Sequence, residues 1–135
     1  MCNSSLMKWK IASLGVCLFL SCTLSSEPFK EGRILYEVHC SNCHGLKFEG
    51  FEQLYPPLDP DRIKSLSREE MVCLLIKGRA PEKKDDFKSA MPGFEKLSEV
   101  QICNILNYLG NHFGSDTQYH PMEVKAMITS CKDQK

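Results

Sequence analysis

The chain has 135 residues, with 17 basic and 17 acidic side chains that cancel to zero net charge when its four histidines are neutral. That balance offers no basic surface for nucleic acid, and the length suits one small domain. Eight cysteines are the compositional outlier, and their positions decide how the sequence reads.

Met1 to Lys10 is polar to basic, with Lys8 and Lys10 and no acid. Ile11 to Leu20 is a short apolar run that ends in small residues around Ser21-Cys22-Thr23. The run is far shorter than the roughly 20 apolar residues a spanning helix needs, so residues 1–21 read as a secretory signal peptide. Met7 is an alternative start, because Met-Lys-Trp-Lys forms a tidier basic region. Phe19-Leu20-Ser21-Cys22 resembles a bacterial lipobox, which makes Cys22 the lipidated first residue of an exported protein anchored on the periplasmic side of the membrane. Phe19 and the bulky Leu20 depart from the commonest pattern, and an ordinary cleaved signal or an uncleaved anchor are the alternatives. Residues 22–135 then form one domain, with a core of about 27–114 and a C-terminal extension over 115–135. Loss of Lys8 and Lys10 leaves it slightly acidic.

Ser26 is placed to cap a first helix, with Pro28 in its first turn and Ile34, Leu35 and Val38 on an apolar face. That helix leads into Cys40-Ser41-Asn42-Cys43-His44, a C-x-x-C-H pentapeptide, which reads as a c-type haem attachment site. Two thiols at this spacing each add to one vinyl group of the same porphyrin, and the adjoining His44 supplies a neutral imidazole to the iron. A thioredoxin-like site would need a surrounding βαβ pattern, and structural zinc would need further ligands at suitable spacing. Neither is present.

Gly45 to Leu66 reads as loop, marked by Gly50, Pro56, Pro57 and Pro60. Ser67-Arg68-Glu69-Glu70 is a capping box opening a helix that stops at Gly78. Arg79 to Phe94 is irregular again. Ser98-Glu99-Val100-Gln101 is a second capping box, and behind it Ile102, Ile105, Leu106, Leu109 and Phe113 form the stripe of a docked helix. A shorter helix is expected from Pro121 to about Cys131. No segment alternates with period two, and there is no internal repeat. The chain reads as all-α.

A haem iron held by His44 needs a second ligand or an opening on its other face. Met91 is the leading candidate: it lies in a loop, Pro92 restricts it to extended geometry, and a thioether suits ferrous iron. Met71, Met122 and Met127 are rivals, and His39, His112 and His120 would make a bis-histidine site instead. With Cys2 and Cys17 removed, Cys22 lipidated and Cys40 and Cys43 on haem, the cysteines Cys73, Cys103 and Cys131 are left over. One disulfide with one free thiol and three buried thiols both fit this odd number. Cys73 and Cys103 fall in predicted helices, where small buried apolar side chains are the blander expectation.

These motifs together resemble the class I (monohaem) bacterial cytochromes c over the whole mature chain. Gly32-Arg33-Ile34-Leu35-Tyr36 with Cys40 to Gly45 is similar to the family's N-terminal helix and haem motif. Tyr55-Pro56-Pro57-Leu58 is similar to its proline loop, and Met91-Pro92-Gly93-Phe94 to its axial-methionine loop. The resemblance implies a small cytochrome c fold, three to five helices wrapped around one covalently attached haem c. Axial ligands would be His44 and Met91, with a carbonyl of Pro56 or Pro57 accepting the His44 N–H. It also implies Gly32 and Tyr36 packing against Ile105 and Tyr108. Lys83-Lys84-Asp85-Asp86 departs from the family's usual glycine-containing loop. The implied activity is one-electron transfer between extracytoplasmic respiratory partners, a quinol–cytochrome c reductase-type donor and a terminal oxidase or reductase. A haem-bearing subunit of a larger oxidoreductase, a peroxidase-like enzyme or a sensor with an open distal site are the alternatives.

Overall fold

The computed structural model describes residues 27–51, 54–81, 90–116 and 118–133. The expected signal peptide, Cys22, Ser26 and the Lys83–Asp86 stretch therefore lie outside the described residues. Among the described residues six helices follow in order: α1 (Lys30–His39), α2 (Ser41–His44), α3 (Pro60–Ser65), α4 (Arg68–Lys77), α5 (Glu99–Phe113) and α6 (Pro121–Asp133). Among the described residues there is no strand, only the isolated bridges Phe51–Tyr55 and Arg79–Met91. Among the described residues no helix is long and apolar enough to cross a membrane.

Both capping boxes form. Ser67 and Ser98 accept from the backbone N–H of Glu70 and Gln101, whose side chains accept in return from the cap N–H groups. Each box satisfies two of the unpaired donors of a helix start, fixing where α4 and α5 begin. Gly78 and Gly114 end these helices at positive φ.

Two expectations need correction. The first helix begins at Lys30, with Phe29 in the cap position at φ 61° and no side-chain cap. The segment 45–66 is not wholly loop, because α3 forms within it. Asp59 accepts from the Asp61 N–H, and Pro60 occupies the first helical turn. There a missing N–H costs nothing, so this proline starts a helix rather than breaking one.

The core forms where α1 crosses α5. A Cβ added at Gly32 would collide with the Asn104 carbonyl oxygen and lie 2.7 Å from Tyr108 Cβ. Only glycine lets the two backbones approach this closely. Tyr36 is fully buried beside the crossing, its ring 5.7 Å from that of Tyr108. The contact is therefore made by Gly32 and Tyr36 as expected, although Asn104 rather than Ile105 meets the glycine. Of the expected apolar face Leu35 packs against the core, whereas Ile34 and Val38 face away from it, 44% and 62% exposed. From α5, Ile102, Ile105, Leu106 and Leu109 are buried, and Phe113 packs at the core's edge.

Cys73 and Cys131 form a disulfide joining α4 to α6. Of the leftover cysteines only Cys103 is a free thiol, buried and donating to the Tyr119 carbonyl. Arg68 strengthens the same junction, pairing with Glu123 at 2.6 Å and stacking 4.0 Å over the Tyr119 ring.

Candidate functional site

The C-x-x-C-H motif sits at the corner between α1 and α2. Cys40 ends α1 with its N–H on the Tyr36 carbonyl, and its own carbonyl accepts from Cys43 and His44. These bonds wind the pentapeptide into one short helical turn. The Tyr36 hydroxyl then donates to the Gly45 carbonyl at 2.8 Å, tying the end of the motif to α1. Beyond it the chain folds back: the Gly50 N–H donates to the His44 carbonyl, and the Leu58 N–H to the Phe48 carbonyl. Phe48 is buried against Tyr36 and His112, with ring centroids 4.7 Å and 4.1 Å away.

Met91 approaches from another direction. Its N–H and carbonyl both pair with Arg79, at 2.9 and 2.8 Å. Gly78 and Gly93 allow this, because a Cβ on Gly78 would strike the Met91 carbonyl and one on Gly93 would strike the Ile76 carbonyl. Phe94 N–H caps the junction on the Leu75 carbonyl. The methionine loop is thereby laced along the end of α4.

Cys40, His44 and Met91 line a cavity of about 480 Å³ whose remaining wall is largely apolar, with Leu58, Leu75 and Leu109 among its members. A smaller cavity places Cys43 beside the same three residues. Burial, with the Arg79 charge as a lesser cause, holds the His44 pKa below that of a free histidine. Desolvation raises the Cys40 thiol to about 11. The wall thus presents a neutral imidazole and a protonated thiol. Of the rival ligands, Met71 lines the larger cavity from within α4 and His39 the smaller one. Met122 is 87% exposed, and His112 lies against Phe48.

One expected contact is not made. Pro56 lines the smaller cavity with His44, yet Nδ1 of His44 is buried without a hydrogen-bond partner. The carbonyl of neither Pro56 nor Pro57 reaches it. The Tyr55–Pro57 backbone packs instead on Gly50, where an added Cβ would lie 2.7 Å from the Pro56 carbonyl carbon. Sequence reading also missed Arg79. Its position after a helix-ending glycine marked a loop and gave no hint of the backbone pairing with Met91.

A c-type haem fits these residues. The cavity falls within the range of small-molecule and cofactor pockets. The walls of the two cavities together hold two thiols at attachment spacing, a neutral imidazole with unmet hydrogen-bonding capacity and a thioether. Among the described residues no group of three or more His, Cys, Asp or Glu side chains gathers in a metal-holding cluster.

An all-helical domain built around such a cavity is the architecture of a c-type cytochrome. The family described as cytochrome c oxidase, cbb3-type, subunit III matches residues 27–109, and the chain belongs to that family. Comparisons with curated proteins and with solved structures gave no match. A cytochrome c domain implies electron transfer through haem. The matched span includes α1 to α4 and most of α5, and ends before α6.

Proposed function

We propose that this chain is a class I cytochrome c carrying one covalently attached haem c, bound through Cys40 and Cys43, with His44 and Met91 as axial ligands. The carrying observation is that His44 and Met91, remote in sequence, line the same two cavities beside Cys40. The haem supplies the one-electron redox couple. The protein's residues do the rest. The α2 turn fixes His44, and the Arg79 pairing fixes Met91. Both ligands are held by backbone rather than by mobile side-chain contacts, so little rearrangement accompanies a change of charge. A thioether ligand and an apolar wall both favour the less charged ferrous state and raise the reduction potential.

Export is the reading that suits this chemistry. A c-type cytochrome domain and the α4–α6 disulfide both belong to an extracytoplasmic, oxidising setting. Cys22 as a lipid anchor and respiratory redox proteins as donor and acceptor complete the proposal. The matched family's own description favours a second form of it, in which the chain serves as the haem-bearing subunit of an oxidase assembly.

Absorption spectra of oxidised and reduced wild type, Met91→Ala and Met71→Ala, produced with the haem-attachment machinery, test the site. A c-type spectrum whose weak far-red methionine band disappears in Met91→Ala alone supports the His44/Met91 centre. Loss of that band in Met71→Ala alone moves the ligand to α4. Absence of covalent haem from the wild type overturns the reading. Cyanide or carbon monoxide binding by the wild type would favour an open-site enzyme or sensor.

A further inference from the structure

We propose that a further cavity, separate from the two at the candidate haem site, binds a small neutral aromatic molecule bearing one oxygen acceptor, of the class of aryl ketones and amides. This site is independent of the haem chemistry proposed above. The cavity has a volume of about 220 Å³ and lies between the start of α4 and the far end of α5. Cys40, Cys43, His44 and Met91 are all absent from its wall. Ile63, Leu66, Met71 and Leu109 line both this cavity and the 480 Å³ one, so these four apolar side chains form the partition between them. Leu106, Phe113 and Tyr119 extend the apolar wall on this side. An apolar cavity of about 150 Å³ already accepts benzene, so this one has room for a ring with a short substituent.

The polar handle on this wall is Arg68. Its Nη2 donates to the Glu123 carboxylate at 2.6 Å and to the Gln118 carbonyl at 3.2 Å. Its Nη1 is buried and has no hydrogen-bond partner. A buried donor left unpaired is costly, and an acceptor brought to it recovers that cost. The ion pair with Glu123 already answers the charge of the guanidinium, and Lys64, the other cation on the wall, is exposed to water. The site therefore lacks an acceptor rather than a charge, which selects a carbonyl oxygen over a carboxylate. The Arg68 side chain is 27% exposed, so the guanidinium has room to turn Nη1 toward the cavity. Phe113 and Tyr119, whose ring lies 4.0 Å beneath that guanidinium, give the wall two aromatic faces suited to a planar body.

Fluorine NMR titration of the haem-loaded protein tests the site with three probes: para-fluoroacetophenone, para-fluoroethylbenzene, which keeps the shape without the oxygen, and para-fluorobenzoate. The wild type should bind the ketone with a Kd of about 0.1–1 mM and the hydrocarbon about tenfold more weakly. Arg68→Met keeps an apolar stem and removes the donor, so it should bind ketone and hydrocarbon equally weakly. A Cβ added at Gly110, on the cavity wall in α5, meets nothing nearer than Ser115 Cβ at 3.5 Å. Gly110→Leu therefore fills the cavity without a clash at its root and favours the helix. It should abolish binding of the ketone and the hydrocarbon, and with the wild-type preference for the ketone it carries the test if Arg68→Met does not fold. Equal affinity of the wild type for ketone and hydrocarbon would reduce the site to an apolar void, and tighter binding of the benzoate would make it an anion site. Either result overturns the assignment. Binding that survives Gly110→Leu would place the probe elsewhere, and a wild type that binds none of the probes would show the cavity closed; both also overturn it. A wild type without covalent haem would instead strike the function proposed above, while the two variants still locate this site in the unloaded chain.

Discussion

Replacing both Cys73 and Cys131 by alanine should cost a large share of the domain's stability. The bridge closes a loop spanning 58 residues, and in the chain-entropy description a loop of that length removes about 4 kcal/mol of denatured-state freedom at 25 °C. Truncating two side chains, one of them fully buried, adds on the order of 1 kcal/mol. Small domains have only about 5–15 kcal/mol in total. Urea unfolding of the haem-loaded protein at pH 7, followed by far-ultraviolet circular dichroism, measures the difference. Dithiothreitol supplies an internal control, because it should bring the wild type most of the way to the variant and leave the variant unchanged. Unfolding free energies within about 1 kcal/mol of each other would refute the reasoning, and so would equal sensitivity of both proteins to reductant.

Three further outcomes follow from contacts described above. Gly32→Ala drives a methyl group into Asn104 and Tyr108; despite alanine's better helix propensity it should destabilise by about 1–3 kcal/mol, read as a lowered thermal midpoint. Gly78→Ala places a side chain at φ 72° and ψ −162°, a region reserved for glycine, and against the Met91 carbonyl. It should cost about 1–3 kcal/mol and weaken the far-red band, while an unaltered band would show that Met91 does not depend on this turn. The hydrogen bond and charge of Arg68 hold the Glu123 pKa below its ordinary 4.5. A depressed carboxylate contributes stability that is present above its unfolded value and is lost as pH falls through the folded one. Glu123→Gln should therefore be less stable than wild type at pH 7, with the gap closing below about pH 4, and a pH-independent gap would assign the effect to packing.

Helix boundaries set by local chemistry were readable from the sequence. Ser67 with Glu70 and Ser98 with Gln101 specify their helix starts through bonds spanning four residues, and Gly78 marks the end of the first. The heptad-like stripe from Ile102 to Leu109 likewise announced its burial. What escaped depends on contacts distant in sequence. Pro60 reads as a breaker until Asp59 is seen capping the turn that it begins. Ile34 and Val38 look like a core face, yet the face that docks is chosen by Gly32, where backbone proximity outweighs side-chain hydrophobicity. The site divides in the same way. Cys40, Cys43 and His44 lie within five residues and carry their own chemistry. Arg79 and the Cys73–Cys131 bridge become visible only when α4 is placed beside its neighbours.

The position of α6 explains why a helix beyond the matched span is fixed so firmly. The wall of the larger cavity includes Met71, Cys73, Leu74 and Leu75, all from α4. A helix that gives this much of its surface to a cofactor has little left to bury against protein, and a domain this small has little apolar area to spare. The disulfide, the Arg68–Glu123 pair and the Arg68–Tyr119 stack supply covalent and polar attachment instead. Asn107 on α5 completes the attachment, donating to the Tyr119 carbonyl and accepting from its N–H just ahead of α6. The same α4 ends in the turn that holds Met91. Bracing α4 from behind therefore also steadies the proposed iron ligand, so that the C-terminal extension contributes to the redox site without touching it.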